Sequence, residues 1–177
     1  VTNISPYLIE SDNFFVAPVS YPLCKVPPMQ NGNVPLDGDA LKIEPNEYDD
    51  FKDCVYIKRL MGGEELLKNK LRYVLWLVGV EYNDIIDMPN VLNRVELCKT
   101  KRLCMSDASS RALASTPMTF RDTNNPTRYI AMPIVSSEKR NYIPMSYLDS
   151  GTIPTNQLQT VPNATFYHFG ILTSAMH

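Results

Sequence analysis

Apolar positions along this chain switch between two spacings. Arg72-Tyr73-Val74-Leu75-Trp76-Leu77-Val78 is an aromatic and β-branched run without a breaker, which predicts a central strand buried on both faces. Trp76 and its neighbours are therefore core, not a stacking platform. Val91, Leu92, Val95 and Cys98 repeat at helical spacing behind Asp87 and Pro89. They predict a long helix from about Pro89 to Ala114, with Asp87 as its cap. Tyr129–Ser136, Tyr142–Leu148 and Leu158–Val161 read as the strands of a later sheet, joined by turns at Asp149-Ser150-Gly151 and Pro154-Thr155-Asn156. From Ala164 the pattern Phe166, Phe169, Gly170, Leu172, Thr173, Met176 is helical again and runs to the last residue.

Shorter elements fill the first half. Val1 to Asn33 alternates apolar pieces with prolines and reads as an extended arm carrying one or two strands. Pro35-Leu36-Asp37-Gly38-Asp39 is a turn, with a short strand over Ala40–Ile43. Glu44-Pro45-Asn46-Glu47 opens a helix through about Cys54, with proline and acids in its first turn. Val55–Leu60 is helical or extended, and Gly62-Gly63 precedes another short helix. The sum is an α/β fold of the α+β type: a mixed or mostly antiparallel sheet, one long helix and several short ones. A first residue that is not Met and a helical pattern still running at His177 are expected of one unit, residues 1–177, cut from a larger chain.

The pattern leaves one segment unexplained. The apolar run Ile130–Val135 stops at Ser136-Ser137-Glu138-Lys139-Arg140-Asn141, and Tyr142-Ile143-Pro144 opens the next. Six consecutive hydrogen-bonding side chains are more than a simple turn needs. Together they offer a carboxylate, two cations, an amide and two hydroxyls, a set able to read base edges.

Charge sharpens the picture. The net charge is −2, but residues 1–88 hold 8 Lys/Arg against 14 Asp/Glu, whereas residues 89–177 hold 9 against 5. That asymmetry suits a domain with one anion-facing side and one side turned to other protein. The basic candidates for a phosphate backbone are Arg94, Lys99, Lys101, Arg102, Arg111, Arg121, Arg128 and Lys139. A merely solvated helix face is the plainer reading of the first four.

Catalytic patterns are missing. There is no glycine-rich phosphate loop, and Gly62-Gly63 reads as a cap or turn. Asn125-Pro126-Thr127-Arg128 lacks the second proline and the aromatic residue of a methyltransferase motif. Asp37, Asp50 and Lys52 have the residue types of a metal nuclease, but Asp50 and Lys52 fall on a predicted surface helix. His168 lies among aromatics and reads as packed or interfacial. Cys24, Cys54, Cys98 and Cys104 contain no Cys-x-x-Cys pair, so reduced thiols are expected and a zinc site is not. No apolar run is long enough to span a bilayer. The chain is thus expected to be cytoplasmic, to catalyse nothing itself and to hold no metal.

Several ordered motifs then coincide. Ile134-Val135-Ser136-Ser137-Glu138-Lys139-Arg140-Asn141-Tyr142-Ile143-Pro144, Ile153-Pro154-Thr155-Asn156 and Phe169-Gly170-Ile171-Leu172-Thr173-Ser174-Ala175-Met176-His177 follow Ile4-Ser5-Pro6-Tyr7-Leu8, Pro28-Met29, Pro35-Leu36-Asp37-Gly38-Asp39, Ile57-Lys58-Arg59, Gly63-Glu64-Glu65 and Arg72-Tyr73-Val74-Leu75-Trp76-Leu77. In this order they resemble the DNA target-recognition domain of MmeI-like, type IIL restriction-modification enzymes and related adenine-N6 DNA methyltransferases. The resemblance covers nearly the whole chain. It implies a prokaryotic parent with a nuclease, a helical connector and a methyltransferase domain, using S-adenosylmethionine and Mg²⁺. The domain's partners would be double-stranded DNA and its own methyltransferase domain. Asp39 departs from the pattern, which often has a second glycine there. The family's C-terminal helix also continues past His177 into further base contacts.

The resemblance implies base reading by Ser137, Glu138, Arg140, Asn156 and Gln157. Glu138 could accept from cytosine N4, Arg140 could donate to guanine, and the amides of Asn156 and Gln157 suit a bidentate pair with adenine. Phosphate contacts for Lys139 and Arg140, and a plain turn role for Asn156, stand beside these. The alternative overall is a non-catalytic structural domain that docks onto its neighbours.

Overall fold

The computed structural model describes Ser20 and residues 28–174. Most of the expected N-terminal arm, the Ile4–Leu8 motif and residues 175–177 lie outside the described residues. In chain order the strands are β1 Gln30–Asn31, β2 Lys42–Ile43, β3 Ile57–Met61, β4 Tyr73–Leu75, β5 Arg128–Pro133, β6 Ser146–Asp149, β7 Thr152–Pro154 and β8 Leu158–Pro162. The α-helices are α1 Gly63–Lys68, α2 Pro89–Leu103, α3 Ala108–Ala112 and α4 Phe166–Leu172.

The strands form two four-stranded sheets. One, in order β2-β4-β3-β7, is mixed, because β7 runs parallel to β3 with Leu60 opposite Ile153. The other, β1-β8-β5-β6, is wholly antiparallel. The predicted central strand is indeed central: β4 lies between β2 and β3, with Val74 and Leu75 buried. It is shorter than expected: the strand ends at Leu75, the Trp76 N–H makes one more bond to the Tyr56 carbonyl at 2.9 Å, and Trp76 and Leu77 pack into the core, where Trp76 meets Phe120 edge-on at 5.6 Å.

The main core lies between the mixed sheet and α2, whose Val91, Val95 and Cys98 face Ile43, Leu60, Leu75 and Ile153. Burial of each such aliphatic side chain stabilises the fold by ~1.5–3 kcal/mol. A smaller cluster of Met61, Tyr129, Ala131 and Leu158 joins the sheets. There the Tyr129 hydroxyl donates to the Thr152 carbonyl at 2.7 Å, and burial holds its phenol well above the ordinary range.

Four expectations need correction. The long helix ends at Leu103 rather than Ala114. Asp107 starts a second helix by accepting from the Ser110 and Ser109 backbone N–H groups at 2.7 and 3.3 Å, and a cap of this kind competes with helix continuation. Met88, not Asp87, is the residue before the first turn of α2. The predicted strands around the polar segment stop at Pro133 and restart only at Ser146. Pro154 lies in β7 instead of a turn, because β3 supplies a parallel partner that a local pattern cannot reveal. The residue that departs from the glycine pattern, Asp39, has φ +65°, next to Gly38 at +61°. Aspartate tolerates that left-handed conformation better than most residues.

Candidate nucleic-acid interface

Two segments singled out in the sequence meet in space. The connection from β5 to β6 leaves the sheet at Ile134, whose backbone N–H donates to the Gln157 carbonyl at 3.0 Å. Ser136 to Asn141 therefore emerges beside the Thr155-Asn156-Gln157 turn between β7 and β8. Ser136–Asn141, Asn156 and Gln157 are all exposed. Ser137, Glu138, Lys139 and Arg140 lie within one tight turn, closed by the Arg140 N–H to the Ser137 carbonyl at 3.1 Å. The Arg140 guanidinium reaches the Ser136 hydroxyl at 3.3 Å. Val135, 79% exposed, and Tyr142 flank the polar tip.

The 155–157 turn is firmly held, because it links strands of different sheets. The Thr155 N–H donates to the Met61 carbonyl at 2.8 Å, and the Asn156 N–H to the Asn33 carbonyl at 2.9 Å. Gly32 passes so close that a Cβ there would sit 2.0 Å from the Thr155 carbonyl oxygen, a contact only glycine permits. Asn33 is fully buried and was not anticipated. Its amide nitrogen donates to Asn124 and Pro154 carbonyls at 2.8 and 2.9 Å, and its oxygen accepts from the Asn124 N–H at 2.6 Å. The signals available were weak: a Gly-Asn pair, and the Asn124-Asn125 pair before Pro126.

Two concavities flank Asn156. One of about 390 Å³ is walled by Pro133, Ile134, Val135 and Gly63 and bounded by Asn156 and Gln157. The other, about 530 Å³, is rimmed by Gln30, Asn31, Arg121, Asn124 and Asn156. Arg121 thus joins the surface of the polar segment, although its guanidinium pairs with Asp122 at 3.0 Å.

The remaining basic candidates do not gather there. Arg102 is the clear correction: it is fully buried and touches no solvent. Its guanidinium donates to the carbonyls of Leu36, Leu113, Thr116, Pro35 and Thr119 at 2.6–3.2 Å, which uses all five of its N–H groups. The signal was present, since Arg102 continues the buried stripe of Val91, Val95 and Cys98. Lys101 donates to the Gly38 carbonyl at 2.6 Å, Lys99 lies 4.0 Å from Glu96, and Arg94 pairs with Glu47 over the Phe51 ring. Arg111 donates to the Met105 and Ser106 carbonyls at 2.9 and 2.6 Å. These five belong to α2 and α3. Arg128 stands at the start of β5, about 17 Å by strand rise from the end where Ser136 emerges.

The residues weighed for chemistry are otherwise engaged. The buried Asp37 carboxylate accepts from the Asp39 and Leu41 N–H groups at 3.1 and 2.8 Å and so shapes a turn. Asp50 and Lys52 are exposed. His168 Nδ1 accepts from the Thr165 N–H at 3.0 Å at the start of α4. Among the described residues, no three His, Cys, Asp or Glu side chains are placed to hold a metal, and no helix is long and apolar enough to cross a membrane.

The chain is similar to known proteins over its whole length. The chain is 38% identical to DNA methyltransferase A of Bacillus subtilis (strain 168) over 183 residues, covering all of this chain and 21% of that protein. The type IIL restriction-modification enzyme MmeI, solved in complex with DNA, matches with a TM-score of 0.81 at 35% identity, over 99% of this chain and 24% of that one. The chain therefore spans about a quarter or less of the length of these relatives. The family model described as the MmeI target recognition domain matches residues 10–177, and the chain belongs to that family.

Proposed function

We propose that this domain reads duplex DNA sequence for an adenine-N6 methyltransferase within a longer polypeptide. The observation that carries the reading is the Ile134–Gln157 backbone hydrogen bond. It makes one exposed surface of two polar segments, on a frame shared with an enzyme solved on DNA. Ser137, Glu138, Arg140 and Asn156 present acceptors and donors suited to base edges, while Lys139 and Arg121 suit phosphates. Lys99, Lys101, Arg111 and Arg128 would contact backbone only where the duplex passes a second face.

The parent would use S-adenosylmethionine, and Mg²⁺ if it also cleaves, in the cytoplasm of a prokaryote. The residues here do not fit that cofactor. The two adjacent glycines have their N–H groups committed, Gly62 to Glu65 Oε2 at 2.8 Å and Gly63 to Gln157 Oε1 at 3.1 Å.

The test uses the full-length protein. Glu138→Lys should change the base preferred at one position of the methylated site while methylation persists, as mapped by sequencing modified adenines. Retention of the original site at wild-type level would overturn the assignment of Glu138. A docking role has its own support at the other end of the antiparallel sheet. There Phe166 and Tyr167 are 74% and 73% exposed, and Phe166 stacks on Tyr147 at 4.7 Å beside Arg128. That face suits contact with the methyltransferase domain. Phe166→Ser would then lower methylation without altering its sequence.

A further inference from the structure

Asn156 and Gln157 are adjacent amides on one turn, yet the fold treats them differently. The Gln157 side chain folds back onto the start of α1, where Oε1 accepts the Gly63 N–H at 3.1 Å. A backbone N–H can be met by the oxygen of a carboxamide and not by its NH₂ group, so the amide has one defined orientation. The niche is also built for that oxygen. A Cβ on residue 62 would lie 2.7 Å from Gln157 Oε1 and 2.6 Å from Glu65 Oε2, so both oxygens pack closely over the bare Gly62 and a side chain there would shift them. Asn156, one residue earlier, has no side-chain hydrogen bond among the described residues and borders both concavities.

We infer that Gln157 reads DNA as a donor only: its Nε2 hydrogens, aimed away from Gly63, select a base edge that carries an acceptor. Guanine O6 and N7, adenine N7 and thymine O4 meet that requirement, and the cytosine amino group does not. The bidentate pairing with adenine expected from residue type needs Oε1 to accept from adenine N6. Here one of that oxygen's two lone pairs is taken by the Gly63 N–H, which anchors Oε1 at the start of α1, and Nε2 is the half of the amide without a protein partner among the described residues. The inference rests on the proposed DNA-reading role and deepens it.

Two substitutions in the full-length methyltransferase separate the possibilities. Gln157→Glu keeps an oxygen for the Gly63 N–H and removes both donors. Gln157→Lys keeps donors and removes the acceptor. Methylated adenines are mapped in a methylase-free host expressing each variant, and the readout is the relative preference among four bases at each position of the site. The added charge changes total rate, and any selection a carboxylate makes registers as a gain of the amino-bearing bases cytosine or adenine, distinct from an even loss of preference. The expected result is an unchanged Tm for Gln157→Glu with about a tenfold loss of preference at one position, while Gln157→Lys keeps the preference. Retained preference in Gln157→Glu would reduce Gln157 to a helix cap and overturn the inference. Equal loss in both variants would restore the bidentate reading and overturn it as well. Glu138→Lys in parallel distinguishes the wider reading: a changed site there with an unchanged one in Gln157→Glu sinks the donor assignment alone. If Glu138→Lys and Asn156→Ala both leave the site unchanged, the DNA-reading role of this surface falls with it.

Discussion

Asn33 and Asn124, ninety-one residues apart in sequence, exchange two hydrogen bonds: the Asn33 amide donates to the Asn124 carbonyl at 2.8 Å, and its oxygen accepts the Asn124 N–H at 2.6 Å. The same Asn33 amide also holds the Pro154 carbonyl. One buried side chain thus ties the segment after β1, the loop before β5 and the turn after β7. Asn33→Ala removes the partners of the Asn124 N–H and carbonyl, whereas the Pro154 carbonyl keeps the Asn33 backbone N–H at 2.8 Å. We expect a loss of about 2–4 kcal/mol, measured by urea unfolding. Restoration of wild-type stability by Asn33→Ala would mean that these groups find other partners.

Gly32→Ala tests the neighbouring contact. Its methyl would have to displace the Thr155 carbonyl, which is backbone and cannot yield cheaply. The expected cost is about 1–3 kcal/mol. On the proposed reading, methylation by the full-length protein should fall with it, since the turn that presents Asn156 must move. A variant with wild-type Tm and activity would show that the turn has slack.

Arg102 separates a structural cation from a DNA-binding one. Arg102→Met removes the donor to five carbonyls, of which Leu113 and Thr116 keep backbone N–H partners and, among the described residues, Pro35, Leu36 and Thr119 do not, and should cost about 3–5 kcal/mol in chemical denaturation. Arg102→Lys recovers only part, because a single ammonium cannot reproduce the fork. A surface role would instead leave stability untouched.

Lys139→Ala should do the reverse. On the proposed reading it leaves Tm unchanged and weakens binding of the full-length protein equally on cognate and non-cognate duplexes. The slope of log K against log salt should fall by about 0.9, the contribution of one phosphate. Discrimination that changes with Lys139→Ala would move this residue from phosphate to base.

Asp107 makes part of the stability of α3 depend on pH. Hydrogen bonds from the hydroxyls of Ser110 and Ser109, then from the Ser110 backbone N–H, hold its carboxyl well below the ordinary carboxylate range. A depressed folded-state value contributes stability above the unfolded-state pKa, near 3.9, and that contribution is lost as pH falls through the folded value. The stability difference between wild type and Asp107→Ala should therefore be constant above about pH 5 and shrink below about pH 4. Unfolding midpoints at several pH values check this; a difference independent of pH would remove the carboxylate from the cap.

The sequence by itself determined the local elements and the chemistry class. The strand at Tyr73–Leu75, the α2 stripe, the helix after Gly62 and the exposed tip at Ser136–Asn141 all follow from periodicity and side-chain type, which act over a few residues. So did the family, because ordered motifs survive without any knowledge of contacts. Tertiary structure alone decided what those residues face. Arg102 lies on the buried stripe of α2, but which groups satisfy its charge is set only when the loops at Leu36 and at Leu113–Thr119 close over it, and β7 forms only because β3 offers it a parallel edge. Gln157 has the side chain of a bidentate reader, but a glycine ninety-four positions earlier claims its oxygen. Hydrogen-bond partners that distant leave no periodic trace, and they settle which half of the amide is turned toward the solvent.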